Sequence, residues 1–168
     1  MNVLVTGASG FIGARLVEAL LRKTSAVHIL CRDNSDVSAF RNSPVVIFRG
    51  ALDSAEDVHR AMKGCDHVYH LAAFAKNWSR VPEDVHRINR DALATVLTTA
   101  RQLGVQRVLY TSTVMVYGPS DGHPVTEQTR RQTPCETLYE SSKIQGEKIV
   151  DQAIADGLDV VVVHPTRV

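Results

Sequence analysis

The chain has 168 residues, of which 44% are hydrophobic and 22% charged, with a formal net charge of +1. This length is typical of one domain with a single core, and the small charge gives no field that would favour nucleic acid or an acidic membrane. No apolar run approaches the roughly 18 residues of a membrane helix, and no secretory signal opens the sequence. We therefore expect a cytoplasmic protein without a nucleic-acid or membrane partner.

Strand-like and helix-like patterns alternate along the whole chain. Predicted helices cover residues 10–23, 54–63, about 88–103 and 138–156, and Ser54 and Asp57 have the spacing of a capping box. Residues 119–134 are polar and rich in turn formers, which predicts an irregular loop. The predicted strands are 2–6, 26–31, 45–49, 67–71, 107–111 and 159–164.

Strands that are separated by helical crossovers predict a parallel sheet covered on both faces. Six such units with a glycine-rich first turn predict the doubly wound α/β fold, a three-layer α/β/α Rossmann domain with strand order 3-2-1-4-5-6. No repeat or linker divides the sequence, so we predict one nucleotide-binding domain over residues 1–168.

The cysteines and histidines give no pattern of metal ligands. Cys31, Cys65 and Cys135 are scattered, and the seven histidines show no HxxxH or HxxE spacing. An odd number of scattered cysteines fits reduced intracellular thiols better than a disulfide framework. We therefore predict no metal site.

Three glycines follow the first strand at a spacing that suits a bound diphosphate. Gly7 would permit a tight turn, Gly10 a close approach of the backbone to the ligand, and Gly13 close packing of the first helix on the sheet. The positive end of that helix would favour an anion at the same place. The alternative is that the glycines only make a turn.

A tyrosine and a lysine stand four residues apart in the last predicted helix. Tyr139 and Lys143 would share one face of that helix. An ammonium close to the phenol would lower the pKa of Tyr139 from its ordinary value near 10. The pair would then exchange a proton with a substrate oxygen, whereas the alternative is an ordinary amphipathic helix.

Taken together, the sequence motifs of this chain resemble those of the extended short-chain dehydrogenase/reductase family, which includes nucleotide-sugar epimerases, dehydratases and dihydroflavonol reductases. The similarity to the dihydroflavonol-reductase-like branch is strongest. The resemblance covers essentially the whole chain and rests on TGASGFIG at 6–13, GALD at 50–53, HLAA at 70–73, Asn89, YTSTVMVYG at 110–118, YESSK at 139–143 with Gly146-Glu147, and HPTRV at 164–168.

The resemblance implies a nicotinamide dinucleotide as cofactor. Asp53 would hydrogen-bond the adenine, although it could instead be only a turn residue before Ser54. Lys143 would hold the hydroxyls of the nicotinamide ribose. The other residues implied at the cofactor are Ser9, Phe11, Ile12, Leu52, Leu71, Ala72, Ala73, Thr111 and Pro165.

The resemblance also implies two further catalytic residues. Thr113 would hydrogen-bond the reacting oxygen, and Ser112 takes this role if the alignment shifts by one residue. Asn89 would hold an ordered water near Lys143, or would be an ordinary polar residue of its helix.

Two residues after the second strand bear on the choice of cofactor. Arg32 matches an arginine of the reductase branch and would pair with the phosphate of NADP, whereas Asp33 keeps NAD open. Members that prefer NAD usually carry an acidic residue where Cys31 stands. We therefore predict NADP, with NAD as the alternative.

The function implied is hydride transfer between NADP(H) and a small-molecule carbonyl or alcohol, with Tyr139 as acid/base. Val114 and Met115 stand where dehydratases of the family carry an acidic pair, which argues against dehydration. An epimerase and a non-catalytic dinucleotide-binding module remain alternatives.

Members of this family carry a C-terminal substrate region, which would follow Val168. We therefore expect a shortened chain that could bind the cofactor without turning over a substrate. The resemblance also implies a homodimer through the helices near 88–103 and 138–156.

Overall fold

The computed structural model describes residues 1–24, 26–120 and 122–166. Six strands form one parallel sheet in the order 3-2-1-4-5-6, which confirms the predicted topology. The strands are β1 Asn2–Thr6, β2 Ala26–Cys31, β3 Val45–Arg49, β4 His67–His70, β5 Arg107–Thr111 and β6 Val160–Val163. The helices are α1 Phe11–Leu20, α2 Ala55–Met62, α3 Pro82–His86, α4 Ala92–Gln102 and α5 Leu138–Ala155.

Helices cover both faces of the sheet because successive strand residues point to opposite sides. In β1, Val3 and Val5 pack with Val17 of α1 in one buried cluster, whereas Leu4 lies in the other. This second cluster joins the sheet to α2, α4 and α5 through residues such as Met62. The observed arrangement is therefore the predicted three-layer α/β/α fold.

The predicted element bounds are correct to within a few residues, with one exception. The long helix predicted near 88–103 begins with one turn of π-helix, Arg87–Asp91, in which Asn89 is buried, and continues as α4; α3, which precedes this turn, was not predicted. Ile88, Ala92 and Val96 are spaced four residues apart, which fits a regular helix and therefore does not indicate the π turn. Interruptions of this kind often accompany functional sites.

The capping box before α2 is only half formed. The Ser54 hydroxyl accepts a hydrogen bond from the Asp57 amide at 3.3 Å, as predicted. The Ser54 backbone amide donates to the Ala51 carbonyl at 3.3 Å and not to Asp57, whose carboxylate accepts from the Ala51 amide at 3.0 Å. Asp57 therefore fixes the loop between β3 and α2.

The predicted loop at 119–134 carries no helix or strand in its described residues, 119–120 and 122–134. The last two residues of the HPTRV string, Arg167 and Val168, lie outside the described part of the chain. Among residues 1–24, 26–120 and 122–166, no helix combines the length and the apolar character that crossing a membrane requires.

Candidate functional site

A cleft of about 760 Å³ lies at the carboxyl ends of the strands. Parallel α/β sheets bind their ligands at this edge, where the strand order reverses, here between β1 and β4. Residues predicted at the cofactor that line it are Gly7, Ser9, Gly10, Phe11, Ile12, Gly13, Arg32, Leu52, Asp53, Leu71, Ala72, Ala73 and Thr111. Lys143 and Pro165 do not line it.

The floor of the cleft is a loop that only glycines can form. Gly7 has a φ of +73°, and a Cβ built on it would lie 2.6 Å from the backbone nitrogen of Ala72. A Cβ on Gly13 would lie 2.1 Å from the Gly7 carbonyl oxygen. The Gly10 amide donates to that same oxygen at 3.0 Å, which closes the turn. At Gly7 and Gly13 the backbone therefore packs directly against other backbone, and no side chain would fit there.

The N-terminus of α1 opens onto this loop without a side-chain cap. Gly10 occupies the capping position, and no acidic residue lies in the first turn. The partial positive charge of the helix end therefore faces the cleft uncompensated by a carboxylate of that turn, which suits an anion. Phe11 is 75% exposed beside it.

Two residues from the loop after β2 line one end of the cleft. They are Arg32 and Ser35, whereas Asp33 does not line it. The Nη1 atom of Arg49 donates to the carbonyl oxygens of Arg32, Asp33 and Ser35 at 2.8, 3.1 and 3.1 Å. Arg49, which the sequence analysis did not identify, therefore fixes the conformation of this loop.

Asp53 lines the cleft and is more than a turn residue before α2. Its carboxylate accepts a hydrogen bond from Nη1 of Arg87 at 2.6 Å, and Arg87 also binds Asp84 at 2.9 Å. Arg87 lines the cleft too. Sequence reasoning missed this partner because 34 residues separate the two side chains.

Thr113 and Tyr139 lie together at the end of β5. The Thr113 side chain lies close enough to the Tyr139 phenol for its hydroxyl to lower the pKa of that phenol, and it accepts a hydrogen bond from the Met115 amide at 3.3 Å. Burial raises the pKa of Tyr139 above its ordinary value, and the Thr113 hydroxyl opposes this only in part. The predicted lowering of this pKa by Lys143 is therefore wrong: desolvation dominates.

The ammonium of Lys143 binds a backbone carbonyl of β5. The residue is buried, and its Nζ donates to the Thr111 carbonyl oxygen at 2.7 Å and lies 4.5 Å from the centre of the Tyr110 ring. Burial lowers the pKa of Lys143 to about 8, and Glu147 opposes this shift. Because Thr111 lines the cleft, Lys143 stands one carbonyl group behind its wall.

The Asn89 side chain is fully engaged with protein groups. Its Oδ1 accepts from the Phe74 amide at 2.7 Å, and its Nδ2 donates to the Phe74 carbonyl at 3.1 Å and to Ser142 Oγ at 2.9 Å. These bonds tie the loop after β4 to α5. The water that the resemblance implies at Asn89 stays a prediction.

Ser112, the alternative to Thr113, faces a different set of side chains. Its hydroxyl donates to the Glu147 carboxylate, which also contacts His164 Nε2 at 2.9 Å. His164 Nδ1 in turn lies 3.3 Å from the Tyr117 hydroxyl. Thr113 is thus the hydroxyl at Tyr139. The predicted Pro165 lies nearby, with its carbonyl accepting from the Val114 amide at 3.1 Å.

His70 is buried beside the site and uncharged. Its Nδ1 lies 2.8 Å from Thr6 Oγ1, and its ring stacks on Tyr110 with centroids 6.0 Å apart. Burial, assisted by the charge of Lys143, lowers the pKa of His70 to about 3. The ring therefore serves the packing behind the cleft as a neutral group.

Comparison with known families identifies the chain. The model of the NAD dependent epimerase/dehydratase family matches residues 3–168. The chain belongs to this family. The resemblance to extended short-chain dehydrogenases/reductases is thereby confirmed, and the relatives carry names of reductases, dehydrogenases and epimerases.

Several curated proteins of known name are similar to this chain over most of the chain's own length. A putative dihydroflavonol 4-reductase of Synechocystis sp. is 34% identical over 166 residues, which cover 96% of this chain and 48% of the relative. A 3-beta-hydroxysteroid dehydrogenase of Mycolicibacterium neoaurum is 33% identical, with 89% and 42% covered. The chain spans about half the length of the curated relatives it matches.

Solved structures agree with the fold. The Thermus thermophilus UDP-glucose 4-epimerase, in complex with NAD, superposes with a TM-score of 0.85 at 29% identity. The alignment covers 98% of this chain and 54% of the epimerase. The epimerase/dehydratase fold therefore extends over the described sheet and its helices.

We expect His70 to make this epimerase/dehydratase-family chain sensitive to acid. Below pH 6.5 an unfolded histidine binds a proton that the native ring rejects until about pH 3, so protonation favours unfolding as the pH falls through this window. From pH 7 to pH 4 this costs on the order of 3 kcal/mol. Urea unfolding at both pH values measures it.

His70→Gln removes this titration and is expected to reduce the loss of stability between pH 7 and pH 4. His59→Gln, at an exposed position of α2, is the control and should follow the unsubstituted chain. Parallel stability curves for His70→Gln and the unsubstituted chain would contradict the assignment.

Proposed function

We propose that this chain carries the cofactor site and the catalytic residues of an NADP(H)-dependent reductase that acts on a small carbonyl or alcohol. One observation carries the proposal: a single short segment connects the two halves of the site. Thr111 lines the glycine-floored cleft, and Thr113, two residues later, lies close enough to the Tyr139 phenol to lower its pKa. A ligand in the cleft would thus lie next to an acid/base group.

The cleft fits a dinucleotide diphosphate. Gly7, Gly10 and Gly13 line the cleft with backbone that carries no side chain, and the uncapped N-terminus of α1 faces it. In NADP the nicotinamide ring supplies or accepts the hydride. In this proposal the protein contributes binding, orientation and the proton.

The proton would come from Tyr139 in the direction of carbonyl reduction. Because burial raises the pKa of this phenol, it keeps its proton at neutral pH and can donate it to a substrate oxygen. The Thr113 hydroxyl is placed to orient the phenol and to stabilise charge on that oxygen. Lys143, with its ammonium on the Thr111 carbonyl, would add positive charge behind the site.

The residues at the far end of the cleft favour NADP over NAD. Arg32 and Ser35 line the cleft, and a guanidinium is well suited to a phosphate. Asp33, the carboxylate that would instead bind a ribose diol, does not line it. The similarity to an epimerase whose structure was solved with NAD supports the alternative cofactor.

Arg32→Ala tests this preference. We expect the unsubstituted chain to bind NADPH more tightly than NADH in a calorimetric titration, and the substitution to weaken NADPH binding at least about tenfold with little change for NADH. Arg22→Ala, just after the far end of α1 and outside the cleft, is the matched control. Equal losses for both nucleotides would contradict the assignment.

The reaction itself is tested on the complete gene product. Oxidation of NADPH at 340 nm is followed with a panel of ketones and, separately, conversion of UDP-sugars is followed without net oxidation. Ketone-dependent oxidation supports the reductase, and sugar conversion supports the epimerase, to which the Thermus similarity points. Tight nucleotide binding without either reaction would support a non-catalytic module instead.

The homodimer through the helices near 88–103 and 138–156 stays a prediction, which sedimentation can test.

A further inference from the structure

One partly buried carboxylate close to the proposed site has no role in the mechanism above. Glu147 lies one turn after Lys143 on α5, so the two residues share a face of the helix. Its side chain is 27% exposed. A carboxylate in such a place needs partners, because an unpaired charge is costly away from water.

Glu147 has two such partners from two different strands. It accepts a hydrogen bond from Ser112, which directly follows β5, and it contacts His164, which directly follows β6, at 2.9 Å. Ser112 immediately precedes Thr113, the residue whose hydroxyl lies close to the Tyr139 phenol. The carboxylate thus holds together the ends of two strands and the helix that carries Tyr139 and Lys143.

The surroundings of Lys143 leave Glu147 as its carboxylate neighbour. The groups against the ammonium are the Tyr110 ring and the Thr111 carbonyl from β5. His70 of β4 interacts electrostatically with it but is neutral. Burial lowers the pKa of Lys143 and the charge of Glu147 opposes this shift, whereas burial and then the charge of Glu147 raise the pKa of the Tyr110 and Tyr117 phenols.

We propose that Glu147 is a positioning residue of the reductase site: it fixes Ser112 at the end of β5 and supplies the negative charge that keeps Lys143 protonated. Without this charge, a lysine buried to this degree would release its proton near neutral pH, because burial disfavours the ammonium. The inference rests on the proposed function only for its catalytic consequence. The charge coupling itself belongs to this chain and can be measured without any substrate.

The direct test is an NMR titration of the lysine side chains. The chain has five lysines, so labelling at Cε gives few signals, and Lys143→Met identifies that of Lys143. In Glu147→Gln we expect the titration midpoint of Lys143 to fall by about one pH unit. Asp151→Asn, which removes an exposed carboxylate from the same helix, should leave it unchanged. An unchanged midpoint in folded Glu147→Gln would overturn the proposal.

Two further variants keep the test decisive. Glu147→Asp retains the negative charge, so the titration midpoint of Lys143 in this variant should lie close to that of the unsubstituted chain. Ser112→Ala removes one bond to the carboxylate but not its charge, and should therefore leave the midpoint of Lys143 nearly unchanged. If Glu147→Gln does not fold, Glu147→Met is titrated in its place, and an unchanged midpoint there would overturn the proposal.

Kinetics of the complete gene product separate this inference from the proposed function. The alkaline limb of the kcat profile should move to lower pH in Glu147→Gln by the same amount as the NMR midpoint. A shifted midpoint with an unmoved kcat profile would uphold the coupling of Glu147 to Lys143 and contradict the acid–base role of the site. Tyr139→Phe provides the independent test of that role.

Discussion

Gly13→Ala is expected to destabilise the chain by about 3 kcal/mol, which lowers Tm by roughly 6 to 12 °C. Glycine to alanine inside a helix ordinarily stabilises by about 1 kcal/mol, because alanine is the better helix former. Here the added Cβ would lie 2.1 Å from the Gly7 carbonyl oxygen and 2.8 Å from the Ala8 Cα. Both are backbone atoms, so the loop or the helix must move.

The same displacement is expected to weaken nucleotide binding at least about tenfold, because the loop and the first turn of α1 form the floor of the cleft. Thermal unfolding and calorimetry with NADPH measure the two effects separately. Gly104→Ala is the control: its φ of +67° carries strain, but nothing lies within 4 Å of the added Cβ. Gly104→Ala should lower the free energy of unfolding by about 1 kcal/mol and leave NADPH binding unchanged. A stabilised Gly13→Ala chain would contradict the packing described for this loop.

The glycine loop could be predicted from sequence because its signal is local. Gly7 and Gly10 lie between β1 and α1, Gly13 lies in the first turn of α1, and the geometry that needs glycine is set within a few residues. The strand order could likewise be inferred from the alternation of elements, since parallel connections of one hand leave few topologies. These are the parts of the site for which chain order and spacing suffice.

The contacts that set the charges of the site could not be predicted in this way. Arg87 meets Asp53 across 34 residues, and Ser112 meets Glu147 across 35. Helical spacing correctly places Tyr139 and Lys143 on the same helix, but it does not tell how deeply each is buried. Burial raises the pKa of the phenol and lowers that of the amine to about 8. Desolvation therefore reverses the direction expected for Tyr139 from its neighbour alone.

This reversal shapes the expected result for Tyr139→Phe. A phenol with a raised pKa is a proton donor over the whole neutral range, so removing it should lower kcat for carbonyl reduction about 10³-fold in the complete gene product. NADPH affinity should change by no more than about threefold, because Tyr139 does not line the cleft. Steady-state kinetics and calorimetry measure these quantities.

Two comparisons identify what is lost in Tyr139→Phe. Tyr69→Phe removes a phenolic hydroxyl from β4, where the residue packs against the α1 side of the sheet, and should retain full activity. Thr113→Val keeps the shape of the side chain but loses the hydroxyl close to the phenol, and should lower kcat about 100-fold. Turnover in Tyr139→Phe equal to that of Tyr69→Phe would remove the phenol from the mechanism.

The pH dependence of activity provides a second test of this mechanism. Tyr139 keeps its proton beyond its ordinary range, so the loss of activity on the alkaline side should follow Lys143, with a midpoint near pH 8 rather than near 10. Protonated Lys143 is the active form, and activity therefore falls as the pH rises through this value. A profile that stays flat to pH 10 would mean that the Lys143 ammonium, on the far side of the Thr111 carbonyl, does not act on the reacting oxygen.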